Sequence, residues 1–460
     1  MTGQAEVVER QGAAEPAVTS ELAALLRRMW SEPLDARAAT VGKQCLLDWL
    51  GVSLAARREP LVDILIEEFA GGGAGPQCAL LGQGRRAPLH EAALINGAMG
   101  HALDFDDVLA VMGHPTVPVA PVALGLGEAM GKGGAAVLTA LVVGVEAEAR
   151  VGVLLGPSHY AKGWHGTATF GTFGAAAAAA SLLDLDQARL LHAFGLAGTQ
   201  AAGLKSVFGT MSKPLHAGKA AQSGLLAARL AARGFTSDTA ILDDPQGFAA
   251  TQSTTVDPAA ALRLREAPHV TDTLFKYHAA CYLTHNTIEA ASALRALDGV
   301  TPDQVERVSI EVQPMHLGVC DIAAPTTGLE TKFSLRMTCA LALSGEDTFD
   351  DRLYSDETAA RSDLAALCRR SRVEGTASGL PSTVTVVLKD GRVLSRTANV
   401  AEPERDLEAQ QARLERKFLH LTREILQPAA ADDVIGICRT LEAQHDLAAL
   451  IGACTNGLRQ

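Results

Sequence analysis

A chain of 460 residues, 48% apolar but only 4% aromatic, exceeds what one compact core organises and favours closely packed helices over a Val- and Tyr-rich sandwich or barrel, so two or three domains are expected. The formal net charge of −12 opposes non-specific attraction to nucleic acid or anionic lipid, which needs clustered Lys and Arg, while still permitting a local positive pocket for an anion. Cys45, Cys78, Cys281, Cys320, Cys339, Cys368, Cys438 and Cys454 form no CxxC pair, so neither a zinc ribbon nor an iron–sulfur ligand set is indicated, and they read as reduced, mostly buried thiols.

The N-terminus carries Glu6, Glu9 and Glu15 without an apolar core segment, and the apolar run Leu138 to Val145 stops at Glu146, far short of a membrane span. A soluble, cytoplasmic protein is expected. ELAALLRRMW and ARAATVGKQCLLDWLGVSLA show helical spacing, with Asp35 as cap of the second. GLGEAMGKGG (125–134) has the look of a dinucleotide loop but extends a helical run instead of following a strand. GTFGAAAAAASLL (171–183) reads as a buried helix whose small residues admit close neighbours.

Composition changes near residue 268. VERVSIEVQPM (305–315) and STVTVVLKDGRVLSRTANV (382–400) alternate like strands, with Asp390-Gly391 as a hairpin turn. Between them SLRMTCALALSG and SDLAALCRRSRV read as helices, and LEAQQARLERKFLHLTREIL (407–426) is amphipathic again. The expected fold is mostly α: a large all-helical domain of residues 1–268 and 405–460, with a smaller α+β domain, 269–404, inserted before the C-terminal helices.

Four segments could carry chemistry. INGAMGHALDFDDVLAVMGHP places Asn96, His101, Asp104, Asp106, Asp107 and His114 about a helix end, where an acid could equally cap the next helix and His114 close a turn with Pro115. GWHGTATFGTFG sets Trp164, His165, Thr167 and Thr169 at a helix start, which favours anions, although a lone histidine is more often structural. GTMSKPLHAGKAAQSG concentrates Lys213, His216 and Lys219, with Lys213 expected outside the helix because Pro214 follows it. FKYHAACYLTHNTIEAA presents Lys276, Tyr277, His278, Cys281 and His285, without HExxH spacing or an evident metal-ligand set, and GxSxG is absent from the chain. No metal and no cofactor are expected.

HALDFDD, GHP, GWHGTATFG, SKPLHAGKAA and FKYHAACYLTH in this order, followed by PTTGLETKFSLR (325–336), resemble the MmgE/PrpD family of 2-methylcitrate dehydratases, cis-aconitate decarboxylases and iminodisuccinate epimerases, over roughly residues 20–430. The resemblance implies a helical domain completed by the C-terminal tail, a homodimer, and active-site roles for Asp104, His114, Lys213 and Lys276. Two positions depart from the family pattern: Val108 stands where a threonine is frequent, and Cys281 stands where a histidine or glutamate is aligned. The substrate therefore cannot simply be transferred.

The family reactions share one problem, negative charge developing beside a carboxylate. Lys213 and Lys276 could hold carboxylates and the enolate-like charge, His114 could exchange the proton, and Asp104 could orient His114 or act as base. Cys281 could deliver a proton opposite His114, and His101, His165, Thr167, His216 and His285 are expected to bind a small anionic polycarboxylate. Loss of water or carbon dioxide would make a lyase, the favoured reading. Reprotonation from the other face would make an epimerase, and an inactive small-molecule binder is the alternative of another class, against which the retained cluster argues.

Overall fold

The computed structural model describes residues 17–69, 77–376 and 381–459. Among the described residues, nine principal helices come first: α1 (Val18–Ser31), α2 (Ala36–Ala55), α3 (Pro60–Phe69), α4 (Leu89–His101), α5 (Thr116–Met130), α6 (Gly134–Ala161), α7 (Gly166–Leu182), α8 (Gln187–Gly198) and α9 (Ser212–Ala232). Asp35 caps α2 as its position suggests, its carboxylate accepting from the Ala38 N–H at 2.9 Å. A short hairpin, β1 (Gln77–Leu80) with β2 (Arg85–Pro88), interrupts the helices.

The alanine-rich α7 is buried on every face. Small residues make this packing: a Cβ on Gly144 of α6 would lie 2.9 Å from the Gly174 carbonyl, and one on Gly218 of α9 would lie 2.2 Å from the Leu94 carbonyl of α4. The glycine-rich 125–134 segment ends α5 and begins α6, joined through Gly131 in the left-handed conformation. It is a helix junction and cradles no phosphate loop.

A second buried core forms around a four-stranded sheet of order β4-β3-β5-β6, where β3 is Val305–Val312, β4 Ser371–Gly375, β5 Ser382–Leu388 and β6 Val393–Ala398. β5 and β6 pair antiparallel through the turn at Gly391, which has φ +86°. The helices His285–Asp298 and Leu335–Ser344 bury their apolar stripes with the sheet. The helix Leu407–Thr422 returns to the first core through Leu414 and Phe418. The structure is thus mostly α with one small region built on a four-stranded sheet, and the part expected to be all-helical also holds the β1–β2 hairpin. Among the described residues, no helix is long and apolar enough to cross a membrane.

Three local expectations are corrected. Helix 362–369 stops before Ser371, and SRV becomes the edge strand β4, paired parallel to β3, because Val373 finds its partner Ile310 there. VERVSIEVQPM is strand only to Val312, after which Pro314 opens a helix turn. Lys213 lies inside the first turn of α9. Pro214 is tolerated beside it because first-turn N–H groups have no intrahelical partner to lose.

Candidate active site

The two cores meet at the DFDD segment. Phe105 packs into the smaller core, Leu109 and Met112 into the larger, and Leu103 touches both. Backbone bonds of 2.8 Å in each direction between Val108 and Leu274 tie this segment to the one carrying Lys276. Asp104 follows α4 with φ +49°, a left-handed conformation that Asp tolerates better than most residues. Gly113, at φ +115°, lets the loop pass α7: a Cβ there would stand 2.7 Å from Thr167 Oγ1. That hydroxyl accepts the His114 backbone N–H at 3.0 Å.

Three nitrogen groups converge on one oxygen. Asp104 Oδ1 lies 2.8 Å from Lys213 Nζ, 3.2 Å from Lys276 Nζ and 3.4 Å from His114 Nε2. Lys276 also donates to the Asp104 carbonyl at 2.6 Å. Asp104 keeps 55% of its side-chain surface open. Its partial burial raises the carboxyl pKa, but Lys276, His114 and Lys213 outweigh this and hold it well below the usual carboxylate range.

Behind it, the buried Asp106 orients two imidazoles. Both of its oxygens lie 3.0 Å from His101 Nδ1, and Oδ2 lies 2.9 Å from His114 Nδ1, a charge contact made off the ring's hydrogen-bonding direction. Burial works against ionised Asp106, yet His101 and His114 keep its pKa well below the ordinary value. Asp107 behaves oppositely. Burial, then repulsion from Asp48, pushes its pKa up to about 8, while it takes the Thr116 N–H at 3.3 Å and faces the Thr116 hydroxyl at 2.5 Å. Of three acids in four residues, Asp104 and Asp106 are charged at neutral pH and Asp107 is protonated.

Burial lowers His101 to about 4 and His165 to about 2, so both rings are neutral. With Nδ1–H given to Asp106, His101 Nε2 is a buried acceptor without a partner. His165 caps α7 and meets His216, one turn beyond Lys213, at 3.1 Å between their Nδ1 atoms. Phe208 stands edge-on to His165, with ring centroids 4.9 Å apart, and its ring lies 5.5 Å from Lys213 Nζ.

Asp104, His114, Lys213 and Lys276 therefore share one cluster, bordered by His101, His165 and His216. Thr167 reaches it through the His114 backbone. Thr169 is absorbed by His159, 2.8 Å away. His285 is buried a layer behind, its Nε2 3.2 Å from the Ala280 carbonyl, and His278 is held by Thr348 and Glu289. Cys281 sits between the layers. A hydrogen bond with the Cys320 thiol, opposed by burial, lowers its pKa below the ordinary thiol value.

The sequence reading singled out neither Asp106 as the orienting acid nor Phe208 and Cys320. Only the charge density of DFDD hinted at the first. It also overlooked a ligand group: His101, Asp104, Asp106 and His114 bring donor atoms within 4.8 Å of one another. By type they could take a divalent cation. Two ammonium groups already against Asp104 Oδ1 oppose this, since a cation there would have to displace both.

Profiles of the MmgE/PrpD N-terminal and C-terminal domains match residues 20–261 and 278–443. The chain is 28% identical over 391 residues to a cis-aconitate decarboxylase of Homo sapiens, covering 79% of each protein. It is 27% identical to the cis-aconitate decarboxylase of Mus musculus over 79% of this chain and 78% of that one. To that of Aspergillus terreus strain NIH 2624 it is 26% identical, over 75% and 76%. Motif order, two-core architecture and matched span agree that this chain belongs to the MmgE/PrpD family.

Proposed function

We propose that the chain is a cofactor-independent lyase acting on a small polycarboxylate, with decarboxylation of a cis-aconitate-like acid as the first activity to test. The observation that carries this reading is the convergence of Lys213, Lys276 and His114 on a single oxygen of Asp104. Asp104 is half open to solvent and is the one carboxylate facing both ammonium groups, so substrate carboxylates can take its place against Lys213 and Lys276. The sequence relationship to cis-aconitate decarboxylases supports the reaction class. For the described residues, the two cores support the expected division near residues 268 and 405 into a helical unit and an α+β unit, with Val270 and Phe275 packed on the larger core and Val52 and Phe105 on the smaller.

In this mechanism Lys213 and Lys276 bind carboxylates and stabilise charge as it develops. The bond from carbon to the departing carboxylate breaks and carbon dioxide leaves. The electron pair passes into the conjugated system of the neighbouring carboxylate, and His114 then supplies the proton to carbon. Asp106 keeps the ring aimed, and Asp104 keeps both lysines extended between turnovers. In a dehydratase the same charge would instead expel hydroxide. A second reading, epimerisation, is favoured by Cys281: a thiol whose pKa is lowered by its hydrogen bond with Cys320, within electrostatic reach of Lys276 and Asp104, is suited to proton delivery opposite an imidazole.

The test is a panel of cis-aconitate, citrate-like tricarboxylates and imino-dicarboxylic acids, followed by proton NMR in deuterium oxide without added metal. A decarboxylase gives a new product carrying one solvent deuteron where the carboxylate left, and a dehydratase gives a new unsaturated product with none gained in the elimination. Deuterium incorporated into an epimer of the substrate, with no loss of water or carbon dioxide, selects the epimerase. A folded protein that changes no member of the panel refutes both.

A further inference from the structure

The helix Leu407–Thr422 reaches the catalytic turn from behind through Lys417. Lys417 and its partner Asp48 of α2 each expose 1% of their side chains and pair at 2.6 Å. Lys417 Nζ also donates to the Phe105 carbonyl at 2.7 Å and lies 4.0 Å from the Phe105 ring centroid. The preceding carbonyl, that of Asp104, receives Lys276 Nζ at 2.6 Å. Two consecutive peptide planes of the catalytic turn are thus held by two ammonium groups, one facing the pocket and one buried behind it.

A buried ion pair is a poor way to gain stability, because well-packed apolar residues of similar volume do as well or better. What an apolar side chain cannot do is donate to the Phe105 carbonyl. The plane that carbonyl belongs to leads directly into Asp106, the acid that faces His101 and His114. Asp104, one residue earlier, is in the left-handed conformation, so the turn depends on outside contacts to stay in place.

We propose that Lys417 is a positioning residue for catalysis: by pinning the Phe105 carbonyl it sets Asp106, and through Asp106 the His114 ring, from its buried place behind the turn. This rests on reading Asp104, His114, Lys213 and Lys276 as the catalytic centre. Lys417 faces Asp48 and lies within electrostatic reach of Asp106 and Lys276, so its removal must be balanced in charge.

Lys417→Met/Asp48→Leu removes both charges and keeps the volume, leaving no lone buried ion. The double variant should melt near wild type, with kcat reduced on the order of 10- to 100-fold, as for a small misplacement of a catalytic group. KM should stay within about threefold. Hydrogen–deuterium exchange of residues 103–112 should quicken by about threefold or more, with core helices unchanged. Wild-type kcat in the folded double variant, or unchanged exchange of 103–112, overturns the proposal and leaves Lys417 a packing residue. Should the double variant not fold, Lys417→Met/Asp48→Asn, which likewise removes both charges and the donor to the Phe105 carbonyl while keeping a polar group on α2, takes its place under the same readouts. An inactive wild type would refute the lyase reading alone, because the exchange measurement needs no substrate.

Discussion

Asp106 and Asp107 are neighbours in sequence and opposites in charge state, and one pair of substitutions separates them. Asp107 is protonated in the fold because burial and Asp48 lift it to about 8, whereas in the unfolded chain it ionises near its ordinary value of 3.8. Below pH 4 both states hold the proton and the raised pKa costs nothing. As pH rises from there through 8, the unfolded chain gains by releasing a proton that the fold keeps, and wild type loses about 1.4 kcal/mol of stability per pH unit.

Asp107→Asn presents the same two polar groups to Thr116 with no proton to lose. Between pH 5 and 7 its stability should therefore rise relative to wild type by about 3 kcal/mol. With an unfolding entropy of about 2 cal/mol/K per residue over 460 residues, that is about 3 °C in Tm. Melting both proteins at matched salt across pH 5–8 reads the gap directly. Turnover should be retained in Asp107→Asn, while Asp106→Asn, which removes the charge held between His101 and His114, should lose on the order of 10²-fold in kcat. Parallel melting curves for wild type and Asp107→Asn would refute the buried protonated acid, and equal kcat losses in the two variants would refute the division of roles.

Lys213→Ala should lower kcat by about 10²- to 10³-fold in a protein that still folds, since it deletes a preorganised charge; near-normal turnover would return Lys213 to the solvent. Thr167→Val removes the acceptor of the His114 N–H, and should cost about 1–2 kcal/mol in thermal stability together with a fall in kcat larger than any change in KM. Activity should survive exhaustive dialysis against EDTA; loss restored by zinc or magnesium would assign the His101, Asp104, Asp106 and His114 group to a metal. Cys281→Ser should leave most lyase turnover intact. If it instead abolishes deuterium exchange into substrate while binding persists, the epimerase becomes the first choice.

Much of this was legible without coordinates. The 3.6-residue spacing of α1 and α2, the Asp35 cap and the Asp390-Gly391 hairpin are local patterns, and local patterns survive translation into structure because they depend on neighbours a few residues away. The lysine and histidine motifs could be recognised as chemistry because such residue types are expensive to bury without a partner. The parallel edge strand β4 was not legible, because its pairing partner β3 lies some 60 residues upstream and SRV carries no signal of its own.

The charge states resisted reading for a deeper reason. DFDD shows three carboxyls, and nothing in that string tells which faces two lysines, which faces two imidazoles and which is shut away with Asp48. Composition and periodicity by themselves determined a helical protein with an inserted sheet and a set of cationic motifs. Tertiary structure alone decided that Lys213 and Lys276 share one oxygen of Asp104, that Asp107 keeps its proton and that Lys417 stands behind the catalytic turn. A pKa or an ion pair is set by distance and burial, and both are properties of the packed chain, not of the order of its residues.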